Sequence, residues 1–125
     1  TKAILKGDPI TMYGDGSTSR DYTYVDDTVQ GILAAMKYDQ SDFEIINLGN
    51  NYTISLQDLI VAIEEVIGKK AVIERYPEQP GDVPTTFADI SKAKKLLGYN
   101  PQTILTDGLQ KFYAWFKENK ELLLQ

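Results

Sequence analysis

The sequence predicts a small α/β domain, which as an isolated piece would be classed as α+β. Short β-prone runs alternate with amphipathic helical repeats along the whole chain. The length of 125 residues suits one compact domain, and 42% apolar with 25% charged residues is typical of a globular protein. We therefore expect a single domain over residues 1–125 with short strands and four to five helices. Because the strands are few and short, we expect some to complete a sheet of an absent N-terminal part.

Periodicity and turn residues give the order of the elements. Strands are predicted at residues 10–13, 20–25, 43–49 and 71–76. Helices are predicted at residues 2–6, 26–38, 56–67, 90–97 and 103–116. The largely apolar centre of 43–49 indicates a strand that is buried on both faces.

Capping residues support three of these helices. Ser55, with Asp58 three residues later, is typical of a helix N-terminus, and Gly68 of the helix end. Asp26 or Asp27 is the predicted N-cap of the second helix, and Asp89 that of the fourth. The pair Glu64-Glu65 is interpreted as a solvated helix face.

Composition excludes several kinds of chemistry. Without Cys or His the chain has no disulfide, no thiolate and no imidazole base, and its acidic pairs lack companions at metal-ligand spacing, so we expect no metal. A net charge of −5 argues against a nucleic-acid partner, and the longest apolar runs are too short for a membrane span. The chain starts without Met or a signal pattern, so we expect a cut from a longer, cytoplasmic protein.

Two segments could bind a ligand. The bend Gly14-Asp15-Gly16 precedes Arg20, whose planar fork could hold phosphate oxygens, although spacing alone favours a plain glycine hairpin with solvated Arg20 and Asp21. The second segment, residues 77–84, holds three prolines and is interpreted either as a rigid surface loop or as a loop that positions a ligand contact.

These motifs, taken in order, resemble the C-terminal part of the extended short-chain dehydrogenase/reductase family, the NAD-dependent nucleotide-sugar epimerases and dehydratases. The resemblance covers essentially the whole chain. The residues that carry it are Tyr13-Gly14-Asp15-Gly16, Arg20-Asp21-Tyr22, Val25, Asp27, Asn47-Leu48-Gly49, Gly81-Asp82, Ala88-Asp89, Lys92-Ala93 and Leu97-Gly98-Tyr99.

The resemblance implies a role for residues that match the family's UDP-sugar site. Thr11 and Tyr13 would lie beside the uracil and offer main-chain groups or a ring to it. Arg20 would hold the diphosphate and Asp82 a ribose hydroxyl, which suits a donor fork and an acceptor carboxylate. Asn47 would pack nearby, and Gln79 stands where UDP-galactose-type epimerases carry a second phosphate-binding arginine.

Gln79, and Thr86 in place of a family tyrosine, depart from the UDP-galactose-type pattern, and the string Gln79-Pro80-Gly81-Asp82-Val83-Pro84 is more similar to the UDP-glucuronate 4-epimerase branch. A dehydratase, a decarboxylase or a UDP-glucose 4-epimerase is the alternative within the family. An interaction module without a catalytic domain is the alternative outside it. The resemblance also implies a homodimeric full-length protein, whose contacts would lie mostly on the missing part.

Catalysis is not expected from this chain alone. The glycine-rich dinucleotide fingerprint is absent from the sequence, so NAD would be bound in the full-length enzyme and not by these residues. In the family, NAD oxidises the sugar at C4 to a ketone and returns hydride to its other face. Tyr113 and Lys117 have the spacing of the family's catalytic pair, but we interpret Tyr113 as part of the apolar face of the last helix.

Overall fold

The computed structural model describes residues 1–120, which form five helices and five short strands and confirm the mixed fold class. The helices are α1 (Lys2–Lys6), α2 (Val25–Ala35), α3 (Leu56–Ile67), α4 (Ser91–Leu97) and α5 (Leu105–Glu118). The strands are β1 (Pro9–Tyr13), β2 (Ser19–Arg20), β3 (Ile54–Ser55), β4 (Val72–Tyr76) and β5 (Thr85–Thr86). No helix among residues 1–120 is long and apolar enough to cross a membrane.

The strands form two small sheets. In the first, β1 and β4 run parallel, in a register that begins with Pro9 opposite Val72 and ends with Tyr13 opposite Tyr76. In the second, β2 lies between β3, which is antiparallel to it, and β5, which is parallel. Because parallel strands end at the same edge, the segments that follow β1 and β4 start side by side.

The first turn of α3 holds the glycine bend in place. The Leu56 and Gln57 N–H groups, which have no acceptor within the helix, donate to the Thr18 and Gly16 carbonyls at 2.9 and 3.0 Å. The next N–H, that of Asp58, donates to the Ser55 hydroxyl at 3.0 Å, which confirms the predicted cap. The bend and the helix therefore support each other.

A small core lies between α2 and α4. Its members are buried or partly buried apolar residues: Ile90, Ala93, Tyr99, Ile46, Leu48, Ala88 and Leu97. Gly31 is buried on α2, where a Cβ would lie 2.6 Å from Leu48 and 3.0 Å from Tyr99, so a larger residue would force the Leu48 side chain to move. The Tyr99 hydroxyl donates to the Gly49 carbonyl at 2.9 Å. Burial, followed by the negative charges of Asp27 and Asp21, raises the pKa of Tyr99.

The Asp21 carboxylate connects three segments of the chain. It accepts hydrogen bonds from the N–H groups of Asn50 at 2.8 Å, Asn51 at 3.0 Å and Ala88 at 3.2 Å. The Thr23 hydroxyl is a fourth donor at 3.1 Å. At Gly49 a Cβ would lie 2.5 Å from the Ala88 Cβ and 2.8 Å from the Asp21 Oδ2, so a larger residue would separate these segments.

The predicted strand at 43–49 is wrong. These residues lie outside both sheets, and Phe43 and Ile45 are 78% and 71% exposed. A strand requires hydrogen bonds to a neighbour, and within residues 1–120 no strand runs alongside this segment. The sequence showed the apolar composition of the segment, but composition alone does not show whether a neighbouring strand is present.

One predicted strand and one predicted helix cap also need correction. The strand expected at 20–25 is limited to β2, because the chain turns away after Arg20 towards α2. Tyr24 is the N-cap of α2, and the Asp26 and Asp27 side chains lie in the first turn. The Asp27 carboxylate accepts N–H bonds from Gln102 at 3.2 Å and Thr103 at 3.0 Å and so ties α2 to the segment before α5.

Glu64 is buried, although the sequence analysis interpreted it as part of a solvated helix face. Its carboxylate binds the Lys70 ammonium at 2.5 Å and the Ala71 N–H at 2.8 Å. The Lys70 ion pair and then the Ala71 hydrogen bond lower the pKa of Glu64.

At the start of α4, Asp89 is one position off the assigned N-cap, yet its carboxylate accepts the Ser91 N–H at 2.9 Å, as a cap does.

Asp21→Asn is expected to destabilise the fold. One amide oxygen cannot replace two carboxylate oxygens that accept several N–H groups, and the loss should be about 2–3 kcal/mol of unfolding free energy. Urea denaturation of the chain measures it. Asp15→Asn is the matched control, because the Asp15 carboxylate accepts one backbone N–H, that of Ser17, at 2.8 Å. A loss no greater than that of the control would contradict the role of Asp21.

Acid should weaken the link between α2 and the segment before α5. Burial acts to raise the pKa of Asp27, but hydrogen bonds from Gln102 and Thr103 outweigh it and lower that pKa. A carboxyl with a lowered folded-state pKa contributes stability at neutral pH, which is lost as the pH falls below about 4. The stability difference between wild type and Asp27→Asn should therefore shrink in acid. Denaturation at several pH values, with Asp26→Asn as control, tests this.

Candidate functional site

Arg20 and Asp82 contact each other directly, although they are distant in the sequence. The Arg20 Nη2 lies 2.5 Å from the Asp82 Oδ1. Their side chains are 31% and 42% exposed, so a molecule in solution can reach both. The structure therefore places the predicted phosphate-binding and ribose-binding residues at one point on the surface.

The pairing of β2 with β5 produces this contact. The register places Ser19 opposite Thr85 and Arg20 opposite Thr86, and the Ser19 N–H donates to the Pro84 carbonyl at 2.8 Å. Just before β5, the Asp82 N–H donates to the Gln79 carbonyl at 3.2 Å and closes a tight turn. Within this turn Gly81 has a φ of 86°, which glycine adopts without strain.

The Arg20 guanidinium retains donors for a ligand. Its Nη1 donates to the Ser19 carbonyl at 2.8 Å and, more weakly, to the Pro84 carbonyl at 3.5 Å, while its Nη2 donates to Asp82. A guanidinium has five N–H groups, and these contacts account for three of them. The remaining donors can bind an anionic oxygen while the protein contacts fix the plane of the group.

An open cavity of about 540 Å³ begins at Arg20. Its wall comes from β2 and the residues after it, from the end of the 43–49 segment, and from β5 with the residues that follow. The lining residues are Arg20, Asp21, Thr23, Ile46, Asn47, Leu48, Gly49, Thr86, Phe87 and Ala88. The cavity thus brings Asn47 and Arg20 together, and the hydrogen bonds of Asp21 hold its three wall segments in register.

The sequence did not identify Phe87 as part of this wall. Phe87 is an exposed aromatic residue that directly precedes Ala88. The signal available in the sequence was an aromatic residue shortly after a proline-rich loop. Its position in the cavity follows only from the β2–β5 pairing, which sequence periodicity does not show.

Thr11 and Tyr13 lie outside the cavity, on β1 of the other sheet. Both side chains are exposed. The Gly14 N–H donates to the Tyr76 carbonyl of the neighbouring strand at 2.9 Å. Because successive residues of a strand direct their main-chain groups to opposite sides, those of Thr11 and Tyr13 face the edge away from β4. Within residues 1–120 no strand occupies that edge.

Gln79 also lies outside the cavity, in the exposed loop between β4 and β5. The loop is nevertheless close to the glycine bend, because a Cβ on Gly14 would lie 3.0 Å from the Glu78 Cγ. Thr11, Tyr13 and Gln79 are therefore placed along the sheet edge and loop that lead to the Arg20–Asp82 pair.

Tyr113 and Lys117 do not form a base in this structure. The Lys117 Nζ lies 4.9 Å from the centre of the Tyr113 ring. This is a cation–π contact within one helix, over the ring face and not at the hydroxyl. Among residues 1–120, no group of three or more carboxylates is arranged to hold a metal ion.

The sequence and the structure both match known proteins. Residues 1–112 match the sequence profile of the GDP-mannose 4,6 dehydratase family. The chain is 48% identical over 124 residues to an uncharacterized protein of Methanocaldococcus jannaschii, a match that covers 99% of this chain and 38% of that protein. It is 44% identical over 123 residues to UDP-glucuronate 4-epimerase of Thermodesulfobacterium geofontis, with 98% and 38% covered.

Among solved structures, UDP-glucuronic acid 4-epimerase of Bacillus cereus, in complex with UDP-glucuronic acid and NAD, superposes with a TM-score of 0.84 at 39% identity. That match covers 94% of this chain and 38% of the other. The chain thus spans less than half the length of the proteins it resembles. It belongs to the GDP-mannose 4,6 dehydratase family, among the NAD-dependent nucleotide-sugar epimerases and dehydratases of the extended short-chain dehydrogenase/reductase class.

Proposed function

We propose that this chain binds the UDP moiety of a UDP-sugar as one domain of a longer NAD-dependent UDP-glucuronate 4-epimerase. The observation that carries the proposal is the contact between Arg20 and Asp82 at the edge of the cavity. One side chain offers donors and the other offers acceptors. A nucleoside diphosphate requires this combination, since its phosphates accept hydrogen bonds and its ribose hydroxyls donate them.

The charge of the site supports a single-arginine mode of phosphate binding. The chain has two arginines, and the other, Arg75, donates its Nη1 to the Asp15 carbonyl at 3.0 Å, at the glycine bend. Arg20 is the arginine that lines the cavity. In a chain with a net charge of −5, a diphosphate would depend strongly on this one cation.

The open edge of β1 supports a binding position for the base. Main-chain N–H and C=O groups of Thr11 and Tyr13 face this edge, as the Gly14 hydrogen bond to β4 indicates. The edge of uracil has both a donor and acceptors, so it can pair with such groups much as an added strand does. The base would then lie at β1, with the diphosphate at Arg20 and the ribose at Asp82.

Exposed apolar surface supports the presence of a further domain. Four side chains at helical spacing, those of Val25, Val29 and Ile32 on α2 and of Met36 at its C-cap, are exposed, as are Phe43 and Ile45 of the unpaired segment. Exposed apolar side chains in such number are typical of an interface. We propose that the remainder of the enzyme covers it and supplies a strand beside residues 43–48.

NAD is assigned to that remainder, because the residues of this chain do not fit it. A dinucleotide fingerprint joins a strand to the N-terminus of a helix, where the pyrophosphate binds. Here the bend after β1 leads into β2, and the Ser17 N–H within the bend is taken by the Asp15 carboxylate. We propose that this domain holds and orients the nucleotide, that the longer protein is a cytoplasmic homodimer, and that the chain alone is inactive.

Arg20→Ala in the full-length enzyme should weaken binding of UDP-glucuronate. Removal of charge-assisted hydrogen bonds to phosphate corresponds to about 1.5–3 kcal/mol, or roughly 10- to 150-fold in Kd. Titration calorimetry measures the change. Lys95→Ala, which removes one positive charge from an exposed position on α4 outside the cavity, is the matched control. Titration curves that match wild type would contradict the proposal.

The full-length enzyme should convert UDP-glucuronate to its C4 epimer and retain the carboxylate. Gln79 favours this branch, because the family resemblance implies a second phosphate-binding arginine at that position in UDP-galactose-type epimerases. Nuclear magnetic resonance of the product distinguishes the outcomes. A decarboxylase would release CO₂ and yield a UDP-pentose, and a dehydratase would release water. Turnover of UDP-glucose with no turnover of UDP-glucuronate would contradict the uronate assignment.

A further inference from the structure

Three hydrogen bonds hold the carbonyl groups of residues 14–18, which connect β1 to β2. Two come from the first turn of α3, whose N–H groups donate to the Gly16 and Thr18 carbonyls. The third comes from β4, because the Arg75 Nη1 donates to the Asp15 carbonyl at 3.0 Å. The contacts from α3 are made by main-chain groups. Arg75 acts through its side chain, so its contribution can be removed by substitution.

The Arg75 side chain approaches this connection from the face of the β1–β4 sheet that buries Met12. Arg75 lies opposite Met12 in the register, and Met12 is fully buried. Directly opposite residues of neighbouring strands direct their side chains to the same face. The connection folds over that face as well, because a Cβ on Gly16 would lie 3.2 Å from the Met12 sulfur. The sheet therefore brings the Arg75 guanidinium to the glycine bend.

The peptide group that Arg75 contacts has little else in the bend to fix its orientation. It joins Asp15 to Gly16 and follows Gly14, and the two glycines have φ angles of 90° and 70°. Because a glycine has no Cβ to restrict its backbone, a peptide group flanked by glycines can rotate at small cost. The bond from Arg75 selects one orientation. The chain runs from this peptide group directly into β2 and Arg20.

From these contacts, and resting on the proposed function, we infer that Arg75 is a positioning residue for phosphate binding, which fixes the glycine bend and thereby the orientation of Arg20. Arg75 acts without contact with the ligand. Its hydrogen bond restricts the bend before the ligand arrives, so binding of a diphosphate costs less conformational entropy. Of the two arginines in the chain, one would hold the phosphates and the other would hold the segment that carries it.

Arg75→Met tests the inference, because methionine keeps part of the apolar stem and has no donor. Full-length enzyme is titrated with UDP, and the loss of one hydrogen bond should raise the Kd about three- to tenfold. With UDP-glucuronate as substrate, KM should rise by a similar factor while kcat stays within about twofold, since a weaker hold on the nucleotide affects ground state and transition state equally. A general folding defect would instead reduce the amount of active enzyme, and with it kcat.

Two further variants separate positioning from a loss of charge. Arg75→Lys should keep the Kd of UDP within about twofold of wild type, because a single donor to a carbonyl does not require the bidentate geometry of arginine. Lys69→Met is the matched control. The Lys69 Nζ donates to the Leu5 carbonyl at 2.9 Å, which is the same kind of contact at the opposite end of the sheet. Its removal should leave the Kd of UDP unchanged.

The double variant Arg20→Ala/Arg75→Met shows whether Arg75 acts through Arg20. If it does, Arg75→Met should add less than about twofold to the loss caused by Arg20→Ala. An undiminished additional loss would overturn the inference, because Arg75 would then act on the ligand independently. UDP affinity that stays at the wild-type value in Arg75→Met would overturn it as well.

Thermal unfolding checks that each variant folds. Arg75→Thr, which suits a strand and lacks the long donor, replaces Arg75→Met if that variant does not fold. Arg20→Ala alone tests the proposed function separately, because it should weaken UDP binding whether or not Arg75 contributes.

Discussion

The Asp21 carboxylate is the interaction on which the geometry of the candidate site depends. It directly follows Arg20 and accepts N–H groups from Asn50, Asn51 and Ala88, which belong to the two other segments of the cavity wall. None of these segments has a long strand or helix to fix it at that point. Glycine at position 49 lets them approach closely, since a side chain there would collide with Ala88. A single acceptor group therefore sets the distance between the residue that would hold phosphate and the wall opposite it.

The same region suggests how one arginine could bind the proposed doubly charged ligand beside carboxylates. Because Arg20 and Asp82 are both partly exposed, their ion pair is screened by water and contributes little to folding. A ligand can therefore take over either partner at low cost. Phosphate oxygens would replace Asp82 as acceptors for Arg20, and ribose hydroxyls would replace Arg20 as donors to Asp82. In this view the ion pair keeps both side chains in position until the ligand binds.

Features that depend on nearby residues could be predicted from the sequence, and features that depend on distant ones could not. The Ser55 cap and the left-handed Gly68 were predictable, because each is satisfied within one helix turn. Asp27 was misassigned as a cap because its true partners, Gln102 and Thr103, are remote in sequence. The assignment of Arg20 and Asp82 as ligand-binding residues came from the family resemblance. Their contact, like the place of Phe87 in the cavity, arises from the pairing of β2 with β5, which involves strands too short to leave a periodic signal.

The segment 43–49, which was wrongly predicted to be a strand, links the cavity to the rest of the proposed enzyme. Its last residues form a wall of the cavity and are held by the core, since Leu48 packs on Gly31 and the Gly49 carbonyl accepts from Tyr99. Its first residues include the exposed apolar side chains of Phe43 and Ile45, and among residues 1–120 no strand runs beside them. A strand added along this segment would fix its position from the other side and restrict the wall that carries Asn47. In the proposed enzyme, domain association and nucleotide binding would then stabilise the same segment, so each would favour the other.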